Sequence, residues 1–186
     1  QGVGDEIIFS SMIPDVVATG AHCTIECDPR LVSLFSRSFP KTWVHSRPYT
    51  EAERGVEFFD YQIPAGSLFA QFRKSIKDFP SRNSYLVVDE RKQKLWRERI
   101  LSLGSGLKIG VSWRSGVSSF SRNVNDASIS DLGPLFALKD VVFVNLQYDE
   151  CAEELAEIYE KFGITLHVWD DLDMYDDLDN VAAMVS

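Results

Sequence analysis

Cysteine is scarce in this chain. Three residues among 186, Cys23, Cys27 and Cys151, cannot all pair, which argues against a disulfide scaffold and fits a reducing compartment. The expected location is therefore cytoplasmic. No apolar run approaches ~18 residues, so no membrane span is expected. The opening Gln-Gly-Val-Gly-Asp carries neither a basic n-region nor an apolar h-region and does not read as a signal peptide. Metal ligation finds little support. On a strand Cys23 and Cys27 stand about 13 Å apart, too far to share a zinc ion, and His22, His45 and His167 are not at ligand spacing with any cysteine. A Gly-x-Ser-x-Gly elbow is absent, and a dinucleotide fingerprint fails because position 7 is Ile where glycine is required. Neither a metal nor a cofactor is expected.

What the chain does have is apolar bulk. Hydrophobic residues make up 45% of it and aromatics 12%, with 12 Phe and 4 Trp, enough for a substantial core. The net charge of −9 is uneven: residues 149–186 carry −11, and residues 1–148 carry +2. A nucleic-acid binder would show a basic surplus, so nucleic acid is not an expected partner. Arginines of the first part, such as Arg37, Arg47 and Arg73, either coat solvated helix faces or line a cleft for an anionic small molecule.

Helix and strand signals alternate. Ile7, Ile8, Met12, Val16 and Val17 recur at helical spacing ahead of Gly20, with Pro14 predicting a kink. Residues 21–28 read as a strand with Cys23, Ile25 and Cys27 on one face. Asp28-Pro29 caps a short helix, and 42–45 reads as a second strand. Further strands are predicted at 58–63, 107–113, 141–146 and 164–169, and helices at 67–76, 89–103, 130–138 and 149–162. Expected core residues include Ile8, Met12, Ile25, Leu34, Ile109, Val111, Val142, Val144 and Leu155. Strands separated by helices imply parallel βαβ units in an α/β fold. The Gly104-Ser105-Gly106 punctuation sets an expected boundary between domains 1–104 and 105–186.

Two regions can carry chemistry. Gly2-Val3-Gly4-Asp5 is a glycine turn entering a helix; Asp5 is either an N-terminal cap or a general base facing a cleft. The second region lies at strand ends, where parallel sheets bind ligands. Ser112 and Arg114 follow one predicted strand, and Asn145, Gln147 and Tyr148 end the next. Arg114 and Arg122 suit a diphosphate, because guanidinium grips phosphate oxygens in a bidentate fork. Polar loops with no ligand are the plainer alternative.

Taken together, QGVGDEIIFSSMIPDV, KIGVSWRSG, VVFVNLQYDE and DDLDNVAAMVS resemble the glycosyltransferase-like domain that follows tetratricopeptide repeats in bacterial proteins. That domain is similar to the ADP-heptose:lipopolysaccharide heptosyltransferases. The resemblance implies a GT-B-like fold of two Rossmann-like domains, the second truncated at Ser186. It implies a catalytic Asp5 beside Gly2 and Gly4, with Ser112, Arg114, Arg122, Gln147 and Tyr148 at the donor. The implied partners are a nucleotide-diphosphate sugar, an unknown glycan or protein acceptor, and preceding tetratricopeptide repeats. The implied chemistry is inverting and metal-independent, although the fragment is expected to lack activity as it stands. The competing expectation is a non-catalytic binding or interaction module.

Overall fold

The computed structural model describes residues 2–48, 59–81, 83–115 and 126–186. Its chain divides into two compact units, Gln1–Asp89 and Glu90–Ser186. Both are α/β and each holds a short parallel two-stranded sheet.

In the first unit, α1 (Val3–Ser10) and α2 (Ile13–Ala18) lead into β1 (Cys23–Cys27), α3 (Val32–Ser38) and β2 (Thr42–Ser46). The expected kinked helix is two helices. Pro14 sits in the first turn of α2, where its missing N–H costs nothing, and Gly20 follows with φ 87°. Strand β1 alternates as its sequence does, with Cys27 buried at 1% exposure. It pairs in parallel with β2, Cys23 opposite Thr42 and Cys27 opposite Ser46. The crossover begins where Asp28 Oδ1 accepts the Arg30 N–H at 3.0 Å, ahead of Pro29. Met12, Leu31, Leu34 and Phe35 fill this core.

Three expectations fail in this unit. No strand forms over 59–63, the described part of 58–63. The helix foreseen over 67–76 is a 3-10 turn (Ala65–Leu68), α4 (Phe69–Phe72) and another 3-10 turn (Ile76–Asp78). Phe69 is held from the side by Phe9 and Phe79, so aromatic packing rather than helical periodicity sets this segment. Ile8, expected in the core, is 55% exposed.

The second unit begins with α5 (Glu90–Ser102), followed by β3 (Leu107–Val111), a 3-10 turn (Ile129–Leu132), α6 (Gly133–Phe136), β4 (Val141–Asn145), α7 (Ala152–Phe162) and α8 (Leu178–Met184). Strands β3 and β4 pair in parallel, Leu107 opposite Val141 and Val111 opposite Asn145. The expected strand 164–169 is reduced to one bridge between His167 and Val144. The foreseen helix 130–138 is the 3-10 turn plus the four residues of α6. Gly163 ends α7 in the left-handed region, φ 66°, and its N–H bonds the Tyr159 carbonyl at 2.8 Å. The core gathers Val111, Trp113, Phe136, Phe143, Ile158 and Leu166, with Ile109 and Leu155 packed against it.

The sequence predicts a boundary at Gly104–Gly106, whereas the compact units part after Asp89. Helix α5 groups with the second unit through buried Trp96, whose indole N–H donates to Asn180 Oδ1 at 2.9 Å. Arg99 adds a fork onto Asp171 at 2.6 and 2.9 Å. Among the described residues, no helix is long and apolar enough to cross a membrane.

Candidate functional site

The sequence predicts chemistry at the carboxyl ends of the second unit's strands, and the structure does bring Ser112, Arg114 and Gln147 together there. Gln147 is buried at 2% exposure. Its Oε1 accepts the Ser112 hydroxyl at 3.2 Å and the N–H groups of Trp113 and Arg114 at 3.2 and 3.3 Å. Its Nε2 donates to the Arg114 carbonyl at 3.0 Å and to Asp149 Oδ1 at 2.6 Å. Asn145, also buried, holds the Gln147 backbone from both sides: its Oδ1 accepts the N–H at 3.1 Å and its Nδ2 reaches the carbonyl at 3.3 Å. A polar side chain this deep persists because every partner is satisfied.

The Arg114 guanidinium is equally engaged. Nε and Nη2 meet the two oxygens of Glu154 at 2.7 and 2.6 Å, a bidentate fork. Nη2 also reaches the Glu150 carbonyl at 2.8 Å, and Nη1 donates to Asp149. Glu154 Oε1 further accepts the Trp113 indole N–H at 2.9 Å. The Arg114 hydrogen bond holds the Glu154 carboxyl below its ordinary range. Burial works to raise Asp149, but bonds from Gln147 and Arg114 outweigh it and the net shift is downward. Arg114 in turn is pushed upward, first by Glu154. The diphosphate clamp foreseen at Arg114 is thus filled by the chain's own carboxylates.

Tyr148 is exposed beside Tyr175, ring centroids 6.2 Å apart. Arg122, the other foreseen clamp residue, lies outside the described residues. A shallow groove of about 330 Å³, lined by Leu103, Val141, Phe143, Ile164 and His167, runs along the amino-terminal half of β4, not at these strand ends.

In the first unit, Asp5 Oδ2 accepts the Gly2 N–H at 3.2 Å, the cap alternative weighed from sequence. Gly2 has no side chain, so only this half of a capping box exists. An added Cβ would meet nothing within 4 Å at Gly2 or Gly4, so neither glycine is required by packing. Sequence reasoning missed the neighbouring Glu6. Its carboxylate accepts the Asp28 N–H at 2.8 Å and pairs with Arg47, whose own N–H bonds the Cys27 carbonyl at 2.8 Å. Glu6 thus ties the first turn of α1 to the carboxyl ends of both β1 and β2. A first-turn acid also reads as a complement to the helix dipole, so sequence alone does not mark it. Burial, then the nearby Glu6 charge, pushes the Cys27 thiol up to about 12. Among the described residues, no group of three or more His, Cys, Asp or Glu is placed to hold a metal ion.

Comparison with known proteins corrects the resemblance drawn from the sequence. No family model matches the chain, and no solved structure does. It is instead similar to Protein FlbA of Caulobacter vibrioides, 33% identical over 200 residues and covering 99% of this chain. That finding overturns the expected kinship with repeat-associated glycosyltransferases and heptosyltransferases, since the relative's name carries neither activity. The chain spans about a third of the length of this curated relative.

Proposed function

We propose that this chain is a non-catalytic binding or interaction module on an α/β scaffold. The observation that supports this reading is the state of Arg114. A leaving-group clamp needs guanidinium N–H groups aimed at open space, and those of Arg114 are directed at Glu154, Asp149 and the Glu150 carbonyl. Asp5, the foreseen base, spends one carboxylate oxygen on its own helix start. All three cysteines are free, which suits a reducing compartment. Calorimetric titration of the full-length protein with nucleoside diphosphates tests the reading. No selective, saturable binding is expected, and tight binding of one nucleotide would overturn it.

A second reading is transfer of a sugar from a nucleotide-diphosphate donor to a glycan or protein acceptor. It is favoured by the convergence of Ser112 and Gln147 at the carboxyl ends of adjacent parallel strands. Under it, the two units are Rossmann-like halves of a GT-B architecture, with Asp5 as the base. Asp5→Asn in the full-length protein should then lower turnover by about 10²–10⁴-fold while donor affinity survives. Unchanged turnover would return Asp5 to its cap.

A further inference from the structure

The groups that hold Arg114 all come from one short stretch, the turn after β4 and the first turn of α7. Asp149 and Glu154 supply carboxylates and Glu150 a carbonyl. Glu154 meets the guanidinium edge with two parallel bonds, the geometry a phosphate would use. The cluster lies at the rim of the strand ends, not in the core: the side chains of Arg114, Asp149 and Glu154 are 25, 27 and 25% exposed. Two carboxylates on one guanidinium leave a local charge of −1, which repels an incoming anion where an unoccupied arginine would attract one.

We propose that Asp149 and Glu154 act as a built-in occupant of an anion position at Arg114, an autoinhibitory contact that a phosphate-bearing small molecule must displace. The inference rests on the strand ends being a ligand position, as in the second reading above, but not on any transfer chemistry. It accounts for a guanidinium standing where a parallel sheet receives ligands with its Nε–Nη2 edge already taken by Glu154. Neutralising one carboxylate brings the local charge to zero, and neutralising both brings it to +1 and frees the fork.

The test uses inorganic pyrophosphate as the probe, with the full-length protein, at constant ionic strength. Calorimetry compares the parent, Glu154→Gln, Asp149→Asn/Glu154→Gln, and that double variant with Arg114→Ala added; circular dichroism checks folding. Affinity should rise along the first three, with the double variant at least about tenfold tighter than the parent, and Arg114→Ala should abolish the gain. A folded double variant that binds no better than the parent overturns the proposal, as does a gain that survives Arg114→Ala. Should the double variant not fold, the parent decides by nuclear magnetic resonance. Pyrophosphate, against a chloride control, must move the Arg114 Nε–H and Trp113 Nε1–H signals together as both leave Glu154. No joint movement at the highest soluble concentration overturns it. Failure here leaves the interaction-module reading standing, whereas nucleotide binding by the parent would fail that reading alone.

Discussion

Trp96 and Asn180 are 84 residues apart in sequence and share one hydrogen bond, indole N–H to side-chain carbonyl at 2.9 Å, that joins α5 to α8. Because Trp96 is 2% exposed, its N–H has no water to fall back on. Asn180→Ala should cost about 1–3 kcal/mol, the penalty for a stranded buried donor. Trp96→Phe, which removes donor and need together, should shrink the cost of Asn180→Ala to that of its other bond, Nδ2 to Asp177 Oδ2 at 2.7 Å, when the two are combined. Urea unfolding of the four proteins closes this cycle, and additive losses would show that the bond is not the coupling.

Gln147 offers a sharper probe, since its Nε2 donates to Asp149 at 2.6 Å. Gln147→Glu puts a carboxylate against that carboxylate, so its folded pKa must lie above its unfolded value. Between those values the folded protein binds the extra proton. The variant should therefore be destabilised at neutral pH and regain stability as pH falls toward the ordinary carboxylate range. Denaturation midpoints that drop with pH as steeply as the parent's would contradict this.

The acid limb of the parent follows from the opposite shift. Arg114 lowers Glu154, and Gln147 with Arg114 lower Asp149 against the effect of burial. Both groups bind protons more readily unfolded. Their stabilisation is complete above the unfolded carboxylate values, near pH 4, and is lost as pH falls through the depressed folded ones. Glu154→Gln should flatten the loss of stability in acid, which a series of urea melts at stepped pH measures.

Gly110 lies close under the Leu146 side chain. A Cβ there would lie 2.3 Å from Leu146 Cδ1 and 2.9 Å from Cγ. Gly110→Ala should cost about 1–3 kcal/mol, the range for overpacking. Pairing it with Leu146→Ala should recover part of that loss in thermal melts. A silent Gly110→Ala would mean Leu146 has another place to go.

Thiol chemistry should separate the cysteines. Cys27 is 1% exposed and its thiol is pushed up to about 12 by burial, so at neutral pH it offers neither access nor thiolate. An aromatic disulfide reagent should modify Cys23, which is partly exposed, well before Cys27. Labelling of Cys27 should wait for denaturant, as peptide mapping would report.

The elements that were legible in sequence are those whose own residues decide them. The alternation through Cys23, Ile25 and Cys27, the Asp28-Pro29 cap and the apolar run 141–144 all describe local preferences, and each element formed where expected. Along 164–169, predicted as a strand, Ile164, Leu166 and Val168 alternate with other residues. Leu166 is buried and Val168 is 43% exposed, and a single bridge at His167 is all that forms. The strand-end cluster was half legible. Side-chain type and position marked Ser112, Arg114 and Gln147, but their partners Glu154 and Asp149 belong to an acidic run in which every carboxylate looks alike. Glu6 left no signal because its two partners are distant in sequence, Asp28 by 22 positions and Arg47 by 41.

Gln147 has one more consequence, in the kinetics of solvent exchange. The paired ladder of β3 ends at Val111 opposite Asn145, yet Oε1 of Gln147 takes two amides beyond it, those of Trp113 and Arg114. A single carboxamide thus does the work of a further strand residue. In deuterated buffer these two amides should keep their protons on the timescale of β3 itself, and lose them only when the whole second unit opens.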